Sequence, residues 1–274
     1  RPHPQDKTRR HEDKMNQETN ILPPDTAGIS QAASLLLQGH LVAFPTETVY
    51  GLGADARDGR AVAKIYEAKG RPSFNPLIVH IGDTSAARTF VEWSDTADVL
   101  ASAFWPGPLT LVLPLKEGHG LSSLVTAGLD TVALRVPAHT SARRLLAEFG
   151  GPVAAPSANP SGRISATTAA HVIAGLDGRI AAILDDGPCT VGLESTIIGL
   201  GDATPTLLRA GGLPQEVIEA ALGQSLVSVN GAEVIAPGQL ASHYAPGAAV
   251  RLNATGVKDD EVLLGFGPMV CDLN

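Results

Sequence analysis

The chain has 274 residues, a formal net charge of −8, and 44% hydrophobic but only 4% aromatic residues. That length suits one large domain plus a fragment or two small domains, and the negative charge disfavours non-specific binding to polyanions. No apolar run approaches the ~20 residues of a membrane helix, and the well-separated Cys189 and Cys271 fit a reducing compartment, so we expect a cytoplasmic protein.

The first elements are predicted from residue 21 onward. Residues 1–20 are polar and lack the apolar stretch of a signal peptide, which favours a disordered tail. Asp25 can cap a helix that ends at Gly39, and a buried strand at 41–44 leads into a loop rich in Gly and Pro at 45–53. Asp58 can cap a second helix to about residue 68, with Gly70 in the stop position, before a strand at 77–81.

The rest of the chain mixes helices and strands without strict alternation. Helices are predicted after Asp83 and at 95–104, 140–149, 167–174 and 214–222, and strands at 109–113, 132–136, 153–155, 181–184, 195–200 and 206–208. This order predicts an α/β sheet with both parallel and antiparallel neighbours over residues 21–224. Residues 225–248 are expected to be a linker, and strands at 249–252 and 262–266 begin a truncated second domain at 249–274.

Common catalytic motifs are missing. The sequence has no G-x-x-x-x-G-K-[ST], G-x-G-x-x-G after a strand, G-x-S-x-G, H-E-x-x-H or C-x-x-C. A nucleotide would therefore bind without a Walker-type loop, no serine or cysteine nucleophile is indicated, and we expect no metal site made by the protein.

Polar residues instead cluster at the ends of short buried strands. Lys69 and Arg71, separated by Gly70, could bracket a polyphosphate or could simply complement the end of a helix. Arg135 lies in an apolar strand and needs an anionic partner, either a structural carboxylate or a substrate. Arg209, just before two glycines, raises the same question.

Further polar residues are placed in the same way. Ser157 and Asn159, between two prolines, could hydrogen-bond phosphate or ribose oxygens, or could form an ordinary turn. His80 is more often a satisfied core histidine than a ligand-binding one. Thr46 follows one strand and Ser195 begins another. Together these residues predict one cationic pocket served by several strands.

Six motifs in order resemble those of the Sua5/YciO/YrdC family. They are Phe44-Pro45-Thr46-Glu47-Thr48-Val49-Tyr50-Gly51-Leu52-Gly53, Lys69-Gly70-Arg71-Pro72 with Asn75-Pro76-Leu77-Ile78-Val79-His80, Trp105-Pro106-Gly107-Pro108-Leu109-Thr110, Thr131-Val132-Ala133-Leu134-Arg135-Val136-Pro137, Ala155-Pro156-Ser157-Ala158-Asn159, and Glu194-Ser195-Thr196-Ile197. The resemblance covers about residues 26–222. Ala236-Pro237-Gly238 and His243-Tyr244-Ala245-Pro246 resemble the linker of the longer, Sua5-type members.

The resemblance implies a YrdC-like twisted mixed sheet around a large positive cavity, followed by a linker and the start of a Rossmann-like domain. It also implies that the chain joins L-threonine, bicarbonate or CO2, and ATP with Mg2+ into threonylcarbamoyl-adenylate and pyrophosphate. A downstream threonylcarbamoyl-transferase complex would use this product to make N6-threonylcarbamoyladenosine at position 37 of tRNA.

The family's site residues carry over by motif position. Those implied for ATP are Lys69, Arg71, Thr131, Ser157, Asn159, Ser165, Arg209 and Tyr244, with Lys69 and Arg71 as the catalytic pair, and those implied for threonine are Thr46, His80, Arg135 and Ser195.

Two other functions are open at this point. An RNA-binding module would use the same positive concavity, although the net charge of −8 and the lack of interleaved basic and aromatic residues disfavour strong direct nucleic-acid binding. A carbamoyl-transfer domain using carbamoyl phosphate is the second, and the Sua5-type linker weighs against it.

Overall fold

A single mixed sheet organises the chain in the computed structural model, which describes residues 18–73, 75–201, 204–228, 250–252, 254, 256–258 and 261–263. Its strands are β1 (Asn20–Leu22), β2 (Val42–Phe44), β3 (Gly51–Asp55), β4 (Ile78–His80), β5 (Leu109–Pro114), β6 (Thr131–Arg135), β7 (Val153–Ala154), β8 (Ala182–Leu184), β9 (Thr196–Gly199), β10 (Thr206–Arg209) and β11 (Val227–Ser228).

The strand order is β1-β8-β2-β3-β7-β4-β6-β5-β9-β10-β11. The pairs β1–β8, β8–β2, β4–β6, β5–β9 and β10–β11 are parallel, and the pairs β2–β3, β3–β7, β7–β4, β6–β5 and β9–β10 are antiparallel. The predicted mixed α/β sheet is therefore confirmed.

Helices flank the sheet. They are α1 (Thr26–Leu37), α2 (Gly59–Lys69), α3 (Thr84–Phe90), α4 (Asp95–Phe104), α5 (Ser123–Thr126), α6 (Thr140–Phe149), α7 (Ala169–Leu176) and α8 (Gln215–Leu222). The predicted caps are confirmed: the Asp25 and Asp58 carboxylates accept hydrogen bonds from Gly28 N and Arg60 N, and Gly70 ends α2 at a φ of 59°.

The sheet buries apolar residues on both faces. On one face, α1 and α6 pack against β2 and β8 through residues such as Leu36, Leu145 and Phe44. A larger cluster includes Ile65 of α2 and Leu134 of β6. Neighbouring residues of β6 point to opposite faces, so Ala133 instead joins a small cluster with Ile78, Val112, Ile197 and Leu208.

Thr19 and Asn20, which were predicted to belong to a disordered tail, are part of the fold. Thr19 is buried and its hydroxyl donates a hydrogen bond to Ile180 O at 3.1 Å, and Asn20 begins β1 beside β8. A three-residue edge strand that pairs with a segment about 160 residues later has no local sequence pattern. The predicted tail therefore extends wrongly to residue 20.

Two other boundaries also differ from the predictions. β3 occupies residues predicted as a loop, because Gly51 and Gly53 suggest a turn. In the structure they allow close packing, since a Cβ at Gly53 would lie 2.9 Å from the Phe44 ring. β11 extends the sheet into the predicted linker by pairing with β10.

The C-terminal predictions are only partly covered by the structure. Val250, Arg251 and Leu252, predicted as a strand, lie in none, and neither do Val262 and Leu263. Residues 229–249, including Tyr244, and residues 264–274 lie outside the described residues. Among the described helices, none has both the length and the hydropathy needed to cross a bilayer.

Candidate functional site

A small cavity lies where several strand ends and loops meet. Its walls come from the β2–β3 loop, β4, the end of β6, the segment after β7, the residues before β9 and the end of β10. The lining residues are Thr46, Thr48, Val49, Gly51, Arg71, Ile78, His80, Arg135, Ala155, Pro156, Ser157, Glu194, Ser195 and Arg209.

The end of α2 brings two cations to this cavity. The left-handed Gly70 turns the chain so that the Arg71 guanidinium lines the cavity and donates to Pro76 O at 2.9 Å. Lys69 lies behind the lining, where its ammonium donates to the carbonyl oxygens of Ser157 and Asn159. Lys69 thus holds the Ser157 loop through two hydrogen bonds and adds a positive charge next to the cavity.

Burial perturbs both cations. Desolvation, and then the charge of Arg71, lowers the pKa of Lys69 well below its usual range, and the nearby Glu194 carboxylate opposes this shift. Desolvation lowers the pKa of Arg71 to about 10. Burial makes the charged forms of Lys69 and Arg71 unfavourable, so an anionic ligand that binds beside them would stabilise both charges.

The loop that contains Ser157 is fixed against β3. Gly51 and Ser157 form an isolated antiparallel bridge, and Ala158 N donates to Tyr50 O at 2.8 Å. The Asn159 carboxamide donates to Pro160 O at 3.0 Å and Arg163 O at 2.8 Å. Ser157 therefore faces the cavity in a fixed position, whereas Asn159 braces the loop.

Arg135 has a structural carboxylate partner, which is one of the two alternatives left open by the sequence. Its Nη2 donates to Glu47 Oε1 at 2.6 Å, its Nη1 to Thr48 Oγ1 at 2.8 Å and its Nε to Gly107 O at 3.2 Å. Glu47 lies behind the cavity lining and was missed as a site residue. The available signal was an acidic residue between two threonines in a loop that follows a buried strand.

His80 lies beside Arg135, because the two residues are register partners on the parallel strands β4 and β6. Its ring is buried and packs edge-on against Phe44 with 5.8 Å between centroids. Its Nδ1 has no hydrogen-bond partner among the described residues. Desolvation and the charge of Arg135 lower the pKa of His80 to about 3, so the imidazole is neutral at pH 7.

Ser195 and Arg209 form the opposite wall. The Arg209 guanidinium donates to Ser195 O at 2.8 Å and to Ser195 Oγ at 3.1 Å, and Ser195 Oγ shares a 2.7 Å hydrogen bond with Thr110 Oγ1. Desolvation lowers the pKa of Arg209 to about 10, against the opposing effect of Glu194. Thr46, across the cavity, accepts from the amides of Thr48 and Val49 at 3.2 Å.

Four residues implied by the resemblance do not line this cavity within the described part of the chain. Thr131 lies on the same face of β6 as Arg135 but four residues away, about 13 Å along the strand. Asn159 and Lys69 lie behind the Ser157 loop. Ser165 donates its hydroxyl to Glu194 and lines a neighbouring open groove with Ile164 and Leu193. Tyr244 lies outside the described residues.

The balance of charge around the cavity is positive. Lys69, Arg71, Arg135 and Arg209 face Glu47 and Glu194, so four cations meet two carboxylates in a chain whose net charge is −8. The described residues contain no group of three or more His, Cys, Asp or Glu side chains that could hold a metal ion. The excess of cations around the cavity therefore suits an anionic ligand.

Comparisons with known proteins show which family the chain resembles. The family described as Sua5_yciO_yrdC, telomere recombination, matches residues 34–211. The Threonylcarbamoyl-AMP synthase of Bacillus subtilis is 51% identical over 239 residues, which are 85% of this chain and 69% of that protein. The Threonylcarbamoyl-AMP synthase of Pyrococcus abyssi is 50% identical, with 80% of this chain and 66% of that protein covered.

A solved structure shares the fold. Sua5 of P. abyssi complexed with L-threonine superimposes with a TM-score of 0.79 and 47% sequence identity, covering 84% of this chain and 70% of that one. The chain thus spans about two thirds of the length of these relatives. On the family match and on this identity, the chain belongs to the Sua5/YciO/YrdC family.

Proposed function

We propose that this chain is a threonylcarbamoyl-AMP synthase, which forms L-threonylcarbamoyl-adenylate and pyrophosphate from L-threonine, bicarbonate or CO2, and ATP. The observation that carries the proposal is the convergence of Arg71, Arg135 and Arg209 on one cavity. Relatives about half identical to the chain bear this name. Such a reaction brings three anionic groups together, which explains why the cavity is cationic.

The amino-acid end of the site would be the wall formed by Thr46, His80, Arg135 and Ser195. The guanidinium of Arg135 uses three of its five N–H groups on Glu47, Thr48 and Gly107. One N–H on each terminal nitrogen has no acceptor among the described residues, which matches the two oxygens of an α-carboxylate. Neutral His80 adds a polar ring without a second positive charge.

The nucleotide end would lie toward Lys69, Arg71, Ser157 and Arg209. The triphosphate would contact Arg71 and Arg209, while Lys69 and Asn159 hold the Ser157 loop. Ile78, which belongs to the small apolar cluster, lines the cavity and would contact the base. ATP would contact Thr131 and Ser165 only through the part of the nucleotide that extends beyond the cavity, because Thr131 lies at the far end of β6 and Ser165 lies beside Glu194. Tyr244 is proposed to fold over the site from the linker.

The chemistry requires positioning rather than a covalent enzyme intermediate. The threonine nitrogen bonds to the carbon of CO2 and loses a proton, which gives a carbamate. A carbamate oxygen then attacks the α-phosphorus of ATP in line, and the bond to the β-phosphate oxygen breaks to release pyrophosphate. Arg71, Arg135 and Arg209 would hold these anions near each other and offset their repulsion.

Mg2+ would enter as part of the nucleotide substrate, because ATP binds it through its phosphates. Among the described residues, Glu194 is the one carboxylate that lines the cavity, and it could add a protein ligand to that ion. The protein's own residues would bind the phosphates and exclude water from the labile carbamate.

The decisive test is to incubate the full chain with ATP, Mg2+, bicarbonate and threonine, and to detect pyrophosphate and the adenylate by mass spectrometry. We expect both products only when threonine is present. Pyrophosphate formation with carbamoyl phosphate in place of threonine would instead support a carbamoyl-transfer domain. Steeply salt-dependent RNA binding without ATP consumption would support an RNA-binding module.

The place of the reaction in the cell is also a proposal. The adenylate would pass to a threonylcarbamoyl-transferase complex that modifies tRNA in the cytoplasm. Its mixed anhydride is reactive toward water, so its consumer must be an acyl transferase that acts soon after release.

A further inference from the structure

Glu47 is a buried carboxylate that the proposed reaction does not use directly. Glu47 is not among the residues that line the cavity, whereas its neighbours Thr46 and Thr48 are, and it is 8% exposed. Both of its oxygens are engaged: Oε1 accepts from Arg135 Nη2 at 2.6 Å, and Oε2 accepts from Ala138 N at 3.1 Å. Glu47 therefore ties the β2–β3 loop to the segment that follows β6.

The same contact determines how Arg135 is presented. With Nη2 held by Glu47, Nη1 by Thr48 and Nε by Gly107, the guanidinium plane is fixed on three sides. The two remaining N–H groups, one on each terminal nitrogen, are the ones available to a ligand. An Arg135 without Glu47 would lose its strongest anchor and could turn away from the cavity.

Glu47 also balances charge within the site. Burial is the main cause of the lowered pKa of His80 and of Arg209, and the positive charge of Arg135 adds to it, so both groups lie within electrostatic reach of Arg135. A buried guanidinium with no carboxylate partner would be expensive to desolvate beside a second arginine. The pair of Glu47 and Arg135 has no formal net charge. A substrate carboxylate would therefore bind to two oriented N–H groups of Arg135 and not to an isolated cation.

We infer that Glu47 is a positioning residue, which holds Arg135 so that its two unused N–H groups bind the α-carboxylate of the amino-acid substrate. This inference rests on the proposed synthase function. It predicts that Glu47 acts on threonine only through Arg135 and has little influence on ATP.

The test is a double-substitution cycle on the full chain, read as pyrophosphate release at varied threonine and at varied ATP. We expect Glu47→Ala to raise the KM for threonine at least ~10-fold while the KM for ATP changes less than ~2-fold. In an Arg135→Ala background the same substitution should change the threonine KM less than ~2-fold. The milder Glu47→Gln keeps an acceptor for Arg135 but places an amide against Ala138 N, so its effect should be smaller.

Two controls separate positioning from a loss of folding. Asp55→Ala removes a similar carboxylate–arginine contact, that of Asp55 Oδ1 and Arg57 Nε at 2.8 Å outside the cavity, and should leave both KM values unchanged. Free guanidinium at millimolar concentration should partly restore threonine use to Arg135→Ala, and should fail to do so when Glu47 is also alanine, because the carboxylate would hold the added cation.

The outcomes are distinct. If the wild-type chain releases no pyrophosphate with threonine, the proposed function fails before Glu47 is in question. If the wild type is active but the losses from Glu47→Ala and Arg135→Ala simply multiply, Glu47 acts independently of Arg135 and the inference is wrong. An equal rise in the KM for ATP would also overturn it.

Discussion

Single side chains determine the electrostatics of this site. Lys69, Arg71 and Arg209 are cations whose pKa is lowered, chiefly by burial. Glu194 lines the cavity beside them and opposes the shift at Lys69 and Arg209. An anion that enters the cavity would therefore relieve an unfavourable arrangement that the fold maintains.

We expect Lys69→Ala and Arg71→Ala each to reduce turnover at least ~100-fold, the scale for removing one preorganised electrostatic contact. The measurement is pyrophosphate release at saturating threonine and ATP. Lys64→Ala is the matched control, since Lys64 is an exposed cation on the same helix that donates to Gly39 O. Near-normal turnover of both site variants would contradict the roles given to them.

His80 should make stability depend on pH. Its pKa of about 3 in the folded chain lies below the ordinary value of 6.5, so the neutral ring contributes stability above pH 6.5 that is lost as pH falls toward 3. Between pH 6.5 and 5 this loss should be about 2 kcal/mol. Urea unfolding of wild type and His80→Gln should show the smaller pH dependence in the variant, and parallel curves would refute the assignment.

Elements place these residues, and their ends matter more than their middles. α2 terminates at Gly70, whose left-handed conformation separates the buried Lys69 from the cavity-lining Arg71. The residues just before β9 pack closely against those just after β10. A Cβ at Gly211 would lie 2.4 Å from Glu194 O and 2.5 Å from Ser195 C. Both glycines are required by backbone geometry and not by any side-chain role.

Gly70→Ala should lower stability by about 1 kcal/mol because alanine is strained at a φ of 59°. It should also reduce turnover at least ~10-fold, since a shift of about 1 Å in a positioning group is costly. Gly150→Ala is the matched control: Gly150 ends α6 at a φ of 68°, away from the cavity lining, and neither glycine has an atom within 4 Å of the added Cβ. Equal turnover in the two variants would argue against this role of Gly70.

Local signals predicted most elements, and long-range pairing explains the failures. The starts of α1 and α2 could be predicted from Asp25 and Asp58, because capping is a local interaction. β1 and β3 were missed because the first is defined only by its pairing with β8 and the second is a strand whose glycines resemble a turn. Seven of the residues singled out beforehand do line one cavity. Glu47 was missed because the partner of a buried arginine is found by three-dimensional proximity, here across 88 residues of sequence.

At the scale of the molecule, the described strands all lie between residues 18 and 228. All of the strand pairs and all of the residues that line the cavity lie in this range. Both edges of the sheet are short strands, β1 and β11, which limits the backbone exposed for pairing with another chain.

We expect a fragment of residues 18–228 to unfold in one cooperative transition. A fragment of residues 24–228 lacks β1, the buried Leu22 and the hydrogen bonds of Thr19. Burial of one leucine contributes about 1.5–3 kcal/mol, so its Tm should be lower by roughly 5–10 °C. Thermal melts followed by circular dichroism measure this, and equal Tm values would show that β1 adds little.

The strand order has a consequence for biosynthesis. The cavity is lined by residues as far apart in the sequence as Thr46 and Arg209. β1 can pair only after β8, about 160 residues downstream, has been synthesised. Contacts this distant slow folding, because the intervening chain must close before they form. A ribosome-bound chain that has not yet exposed Arg209 would lack one wall of the cavity, so substrate binding requires the chain to have emerged at least as far as Arg209.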